Sequence, residues 1–397
     1  MLRRSFYTLC GVQFLATFSL MLLIPVMPLY LQTLNQGQPL SGLWPAAAIA
    51  APAIGALLSA ALIGKGCDTL GGKRMLLITQ STFVLALFSM ALASNVYAFL
   101  AARLLLGFAG ISLVLTVLFS HASYRSEAVQ LASQQRAIAL ACLLGPLCGG
   151  FALDQIGMQP LLLATAIGGC GMLVACVWLI PKPNLAQPTA NNSPHTDSTA
   201  TSLWSWSMGC WLAAGSAVQA GAFALVIAFA LYCQQVWQHS SYVATTIGAL
   251  HATAWFATFI CAGFWGRRNE SGNLTRHYAL ACLGCALALM ALPFSNQVWL
   301  FALLRLLQGA CFAALPQTLF LKMTQLSSST QRGAAIGLAR SSQVVGQLLG
   351  PLSVALVYDQ FGAEAVLWPV ILWFIAAAVL VLGPHSFNST YFKAISK

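Results

Sequence analysis

The chain has 397 residues, of which 59% are hydrophobic and 6% charged, with a formal net charge of +11 and a mean hydropathy of +0.80. Water-soluble domains carry about 25% charged residues, so soluble enzymes and soluble binding modules are excluded and a polytopic membrane protein is expected. Whether the basic balance reflects nucleic acid or topology depends on where the charges lie.

Apolar runs of about 20 residues, the length that crosses a bilayer, predict helices 1–6 near 8–31, 41–63, 75–93, 97–120, 134–153 and 159–180. Helices 7–12 follow near 206–232, 242–265, 277–294, 299–321, 334–357 and 365–383. The first run is longer than a signal-peptide core and lacks a convincing cleavage site. It ends in Ile24-Pro25-Val26-Met27-Pro28, where prolines leave carbonyls unpaired and bend the rod. A plain bend and a gating role both fit.

Between helices 2 and 3 runs Gly64-Lys65-Gly66-Cys67-Asp68-Thr69-Leu70-Gly71-Gly72-Lys73-Arg74. It reads as a glycine-permitted tight turn in which Asp68, Lys73 and Arg74 form a charge cluster near helix ends. Helix 5 carries Arg136 near its start and Gly145-Pro146-Leu147-Cys148-Gly149-Gly150 further on, then Asp154-Gln155-Ile156-Gly157. Helix 11 repeats this with Arg340, Gly350-Pro351-Leu352 and Asp359-Gln360-Phe361-Gly362. The offset is a constant 205 residues, from 145 to 350 and from 154 to 359. A fixed offset of half the chain signals duplication of an apolar unit.

Residues 183–203 are rich in Pro, Ser, Thr and Asn and bury too little to fold. They read as a flexible cytoplasmic tether with an inert His195. The expected division is a six-helix bundle at 1–182, the tether, and a second six-helix bundle at 204–397.

With these spans, one set of alternate loops and termini holds Arg3, Arg4, Lys65, Lys73, Arg74, Arg125, Lys182, Arg267, Arg268, Arg276, Lys322, Arg332, Lys393 and Lys397. The opposite loops hold no Lys or Arg. Basic residues mark the cytoplasmic side, which puts both termini and the tether in the cytoplasm of a multi-pass inner-membrane protein and removes nucleic acid as a partner. The twelve cysteines fall mostly inside helices, where cysteine packs as a small hydrophobe. Cys282-Leu283-Gly284-Cys285 has redox spacing but sits in an apolar helix without a partner, so neither metal nor cofactor is expected.

The 64–74 stretch resembles the signature loop of the major facilitator superfamily, Gly-x-x-x-Asp-x-x-Gly-x-basic-basic, with Thr69 where the family often has a basic residue. The resemblance extends over the whole chain. Helix 4 carries Arg103-Leu-Leu-Leu-Gly107 and helix 10 carries Arg305-Leu-Leu-Gln308-Gly309. The Gly-Pro-x-x-Gly-Gly of helix 5 and the Pro25-x-x-Pro28 of helix 1 are similar to the drug/proton-antiporter branch. In the second half the loop is eroded to Gly266-Arg267-Arg268-Asn269-Glu270. The resemblance implies an all-α membrane protein of major facilitator fold, with twelve helices in two pseudo-symmetric bundles. It further implies a monomeric, non-enzymatic transporter working by alternating access. Gly64, Asp68, Gly71, Lys73, Arg74, Gly145, Pro146, Gly149 and Gly150 then become the expected conformational switch.

Polar groups inside a membrane are costly and usually functional. The predicted spans leave four arginines there, Arg103, Arg136, Arg305 and Arg340, and place all seven acids in loops or at helix ends. Exporters of cationic drugs in this family tend to carry an acid in helix 1, where this chain has Gln13. A cavity lined by guanidinium groups repels cations and holds carboxylates. Arg136 and Arg340 are expected in the cytoplasmic half of helices 5 and 11, nine and ten residues before the Gly-Pro pair, so their equivalence is off by about 100° of helix rotation. Arg136 also fits a plain helix-start residue, and Arg103 and Arg305 fit backbone bonding or proton coupling as well as substrate contact. Gln219 and Gln317 are neutral substrate contacts, and His251, in mid-helix 8, is a proton-carrier candidate. Trp211 and Trp255 read as packing residues. The expected activity is proton-coupled export of a small organic anion, and the chain resembles exporters of carboxylate-type siderophores. The alternatives are a multidrug antiporter, an importer of an anionic metabolite and a non-transporting sensor.

Overall fold

The computed structural model describes residues 3–38, 40–120, 127–180, 205–238, 240–294, 296–328 and 331–395; the tether expected at 183–203 lies outside them. Among the described residues the chain is helix and short turn, without strand. This suits a bilayer, where backbone groups have no water to bond and must pair within the helix. Eleven helices are long and apolar enough to cross a membrane, and a shorter apolar one spans Leu367–Gly383.

In the first half, helix 1 is Arg3–Leu23 continued by a 3-10 turn at Ile24–Val26 and by Met27–Leu34. The two prolines at this point remove backbone donors, which is why the rod changes pitch there. Helix 2 is Leu43–Leu70, helix 3 Gly72–Ala91, helix 5 Glu127–Gln155 and helix 6 Met158–Leu179. Helix 4 comes in two segments, Val96–Phe108 and Ile111–Ser120. In the second half, helix 7 is Trp206–Val236, helix 8 Val243–Ser271 and helix 9 Leu274–Met290. Helix 10 is again in two segments, Val298–Phe312 and Ala314–Leu326, followed by helix 11, Arg332–Phe361, and helix 12, Leu367–Ile395.

Packing follows one scheme twice. Helix 1 lies on helices 5 and 6, helix 2 on helix 4, and helix 3 on helices 4 and 6. Helix 7 lies likewise on helices 11 and 12, helix 8 on helix 10, and helix 9 on helices 10 and 12. Between the halves the main contacts are helix 5 with helix 8 and helix 11 with helix 2. These two contacts exchange under the same pseudo-twofold. Large apolar side chains such as Leu62, Leu85, Ile167, Leu287 and Val379 are exposed around the bundle. Water would penalise such a surface, whereas lipid accepts it.

Candidate functional site: the pathway between the halves

Arg103 and Arg305 are buried, at 1% and 3% exposure. Their backbone positions are related by 202 residues, and so are their partners. Arg103 Nε donates to the Ala48 carbonyl at 2.9 Å and Arg305 Nε to the Leu250 carbonyl at 3.4 Å. Each guanidinium therefore ties helix 4 to helix 2, or helix 10 to helix 8, through its stem-side nitrogen. Arg305 Nη1 also donates to Gln308 Oε1 at 2.8 Å, and the group stands 4.9 Å over the Phe229 ring. Arg103 Nη1 is buried without a partner. His251 packs edge-on against the same Phe229 ring at 5.2 Å. Its Nδ1 lies 3.1 Å from the Ile247 carbonyl, so Nδ1 carries a hydrogen and Nε2 is left as the nitrogen available for proton exchange. That Nε2 is buried and unpartnered.

Helices 5 and 11 show which polar residues face the centre. On helix 11, Gly346 and Gly350 approach the Ser216 and Ala220 carbonyls of helix 7, while Ala355 and Tyr358 approach Gly42 of helix 2. Between those two directions, at 3.6 residues per turn, fall Ile336, Arg340, Gln343 and Gln347. Arg340 is exposed, with its guanidinium 4.5 Å over the Phe320 ring, and the two glutamines are half-buried. Subtracting the 205-residue offset places Gln135, also exposed, at the equivalent point of helix 5.

Arg136 lies one residue further round. It shares an exposed stripe with Leu140, Leu147 and Phe151, matched on helix 11 by Ser341, Val345, Leu352 and Leu356. An exposed, mainly apolar stripe present in both copies suits a lipid-facing surface, and Arg136 sits at its end, where a long cation can reach headgroups. Gln219 lies half-buried beside Gly346. Gln317 donates to the Ala313 and Ala262 carbonyls, at 2.7 and 3.3 Å, and so fastens helix 10 to helix 8.

Toward the other end of the bundle, away from the chain termini, the halves meet closely. A Cβ at Gly150 would land on the Ala244 carbonyl of helix 8, and one at Gly248 on the Pro146 carbonyl of helix 5. Gly145 and Gly149 point elsewhere, onto Met21 and Leu22 of helix 1. The Gly-Pro-x-x-Gly-Gly motif thus serves two contacts at once, one within its own half and one across the halves. Small residues permit both close approaches. The repeat-related contact of helix 11 with the start of helix 2 packs the same way, with a Cβ at Gly42 only 2.9 Å from Ala355 Cα. Asp154 accepts hydrogen bonds from the Ala244 and Thr245 amides at 3.3 and 2.6 Å. Asp359 accepts from the Gly42 amide at 2.8 Å and the Ser41 hydroxyl at 2.6 Å.

A family model described as the Major Facilitator Superfamily matches residues 9–294 and again 242–394. The chain belongs to the major facilitator superfamily. It is 26% identical over 364 residues to the Staphyloferrin B transporter of Staphylococcus aureus (strain NCTC 8325 / PS 47), covering 89% of this chain and 86% of that one. It is 24% identical over 383 residues to Multidrug resistance protein MdtG of Salmonella paratyphi A (strain ATCC 9150 / SARB42), covering 95% and 93%. Among solved structures it resembles the nucleoside transporter NupG, with a TM-score of 0.75 at 16% identity and coverage of 96% and 98%. The human organic anion transporter MFSD10 (TETRAN) gives 0.66 at 19% identity, with 96% and 99% covered. The chain is accordingly a multi-pass membrane transporter and not an enzyme.

The superfamily's signature stretch differs in shape from the expected tight turn. Helix 2 runs through Gly64 and Gly66 to Leu70, and only Gly71, at φ +81°, makes the turn. The side chain of Asp68 lies outside the described set, and Arg74 is exposed. Lys73 Nζ donates to the Val177 carbonyl at 2.8 Å and to the Ile180 carbonyl. It therefore neutralises the negative end of helix 6, a favourable place for a cation. Asp154 and Asp359 were not site candidates on sequence grounds, although the constant spacing of the two Asp-Gln-x-Gly motifs marked both. Gln135 was overlooked because charge drew attention to its neighbour.

Proposed function

We propose that this transporter exports a small organic anion, a carboxylate-type siderophore, by proton-coupled alternating access. The basic loops support cytoplasmic termini in the inner membrane, and on that orientation the end where the halves meet closely faces outward. The observation that carries the reading is the centre-facing surface of helix 11. There Arg340 is exposed beside the part-buried Gln343 and Gln347, and the exposed Gln135 is its repeat-related position on helix 5. Among the described side chains no carboxylate accompanies them: Asp154 and Asp359 are engaged at the closed end, Glu270 lies at the end of helix 8, and Glu364, in the turn between helices 11 and 12, accepts from Gln235. An unpaired guanidinium on a wet polar wall selects carboxylates by charge and by its planar fork. The likeness to a Staphyloferrin B transporter supports the same substrate class.

Arg340 is the primary substrate contact, with Gln135, Gln219, Gln343 and Gln347 as neutral neighbours. Arg103 and Arg305 hold the paired helices, and His251, with its unpartnered Nε2 beside Arg305, is the proton carrier. The second reading, multidrug efflux, is favoured by the likeness to MdtG. Binding to purified protein separates the two. Staphyloferrin B binds and ethidium does not if the anion reading holds; the reverse establishes multidrug efflux. Orientation is tested in cells: cysteines placed at Gln36, Gln238 and Gln297 react with an impermeant thiol reagent, and one at Ser193 does not.

A further inference from the structure

Helices 2 and 8 begin without a side-chain cap from their own N-cap residue, and on helix 2 the Leu43 amide reaches only the neighbouring Ser41 Oγ, at 3.3 Å. The first amides of any helix lack intrahelical acceptors, and helices 4, 7 and 9 meet this need locally: Asn95, Ser205 and Asn273 each accept from their own first turn. Helix 2 starts after Gly42 and helix 8 after Tyr242, and neither has a side-chain cap from its own N-cap residue. Both starts receive a carboxylate from the opposite half of the molecule. Asp154, closing helix 5, accepts from Ala244 and Thr245 at the start of helix 8. Asp359, closing helix 11, accepts from Gly42 and Ser41 at the start of helix 2. The two arrangements correspond in the internal repeat through one amide each, the acids being 205 residues apart and Gly42 and Ala244 202 apart, while the second partner is the Thr245 amide in one and the Ser41 hydroxyl in the other. Gly157 at φ +80° and Gly362 at φ +74° end helices 5 and 11 just beyond the acids, so each carboxylate is held at a fixed helix end.

We propose that Asp154 and Asp359 are a pair of latches that hold this end of the pathway shut by capping a helix of the other half in trans. A carboxylate at a helix N-terminus gains both hydrogen bonds and the favourable end of the helix dipole. These bonds exist only while the halves touch. Rocking the halves apart exposes the amides of residues 42–47 and 243–248 together, since both contacts belong to one rigid-body interface. The latches are separated from the exposed Arg340 surface along helix 11 and work whatever the substrate, so the proposal stands apart from the anion reading.

Hydrogen exchange of the purified wild-type and variant transporters in nanodiscs, without substrate, tests it. Asp154→Ala is expected to speed amide exchange about tenfold at 243–248 and also, in trans, at 42–47, a cap being worth roughly that factor. Asp359→Ala is expected to do the same in reverse, because coupling between sites is reciprocal. The conservative Asp154→Asn keeps one acceptor oxygen and gives a smaller effect at both segments. It also serves if the alanine variant fails to fold. Faster exchange confined to the helix next to each substituted acid, or none in either variant, overturns the latch and leaves the aspartates as local caps.

Discussion

Gln32, at the end of helix 1, and Gln234, near the end of helix 7, hydrogen-bond each other side chain to side chain. Gln234 Nε2 donates to Gln32 Oε1 at 2.7 Å and Gln32 Nε2 approaches Gln234 Oε1 at 3.5 Å. They stand 202 residues apart, the same interval as Arg103 and Arg305, so the pair is one position of the repeat meeting its own copy. Self-complementary contact of that kind occurs on a twofold axis, and here it marks the axis at the closed end. An amide suits the place because it offers donor and acceptor in one group.

The mutual bond makes the two glutamines a coupled unit. Gln32→Ala and Gln234→Ala each leave one amide unpaired, and the double variant removes both. A double-mutant cycle read by thermal unfolding of detergent-purified protein is expected to give a coupling of about 0.5–1.5 kcal/mol. Additive effects would show that the pair contributes nothing across the axis.

The helix 5 glycines separate into two phenotypes. Gly149→Leu drives a side chain into the Leu22 backbone of helix 1 and is expected to lower folding yield and thermal stability, with overpacking costing about 1–3 kcal/mol or more. Gly150→Leu strikes the Ala244 carbonyl across the halves and is expected to leave a folded protein that cannot shut. Transport is lost, and amide exchange at 243–248 is fast. Normal exchange and transport in Gly150→Leu would remove this residue from the closing interface.

Lys73 and Asp68 belong to the same motif but predict different outcomes. Lys73→Met leaves carbonyls at the end of helix 6 without their cation and is expected to cost about 1 kcal/mol in stability, with Lys73→Arg recovering part. Asp68→Asn is expected to impair efflux while leaving the unfolding temperature near that of the wild type. Efflux at the wild-type rate in Asp68→Asn would reduce the motif to topology.

Legibility followed the physics of each level. The spans were readable because a bilayer demands about 20 apolar residues, and the repeat because Gly-Pro-Leu and Asp-Gln-x-Gly recur at one offset. Boundaries erred where a helix outlasts its apolar stretch. Helix 2 continues through Gly64-Lys65-Gly66 to Leu70, since intrahelical bonding persists into a polar environment and Gly71 supplies the stop. The central pathway was half legible. Charge singles out Arg340 and Arg136 alike, but Arg136 is one residue from the position that matches Arg340 in the repeat. One residue on a helix is about 100°, enough to put the two arginines on different faces. Trans capping by Asp154 and Asp359 could not be read from one sequence, because a cap is a relation between segments that only the folded halves bring together.

The central claim is that Arg340 sets the charge preference of the pathway while Arg136 does not, and equilibrium binding of staphyloferrin B to purified protein tests it most directly. Arg340→Gln is expected to lose ten- to a hundredfold in affinity, since a charge-assisted hydrogen bond is worth about 1.5–3 kcal/mol. Arg340→Lys is expected to recover only part, keeping the charge without the fork. Arg136→Gln is expected to bind like the wild type, and ethidium to bind none of them. Unchanged siderophore affinity in Arg340→Gln, or tight ethidium binding by the wild-type protein, would contradict the account.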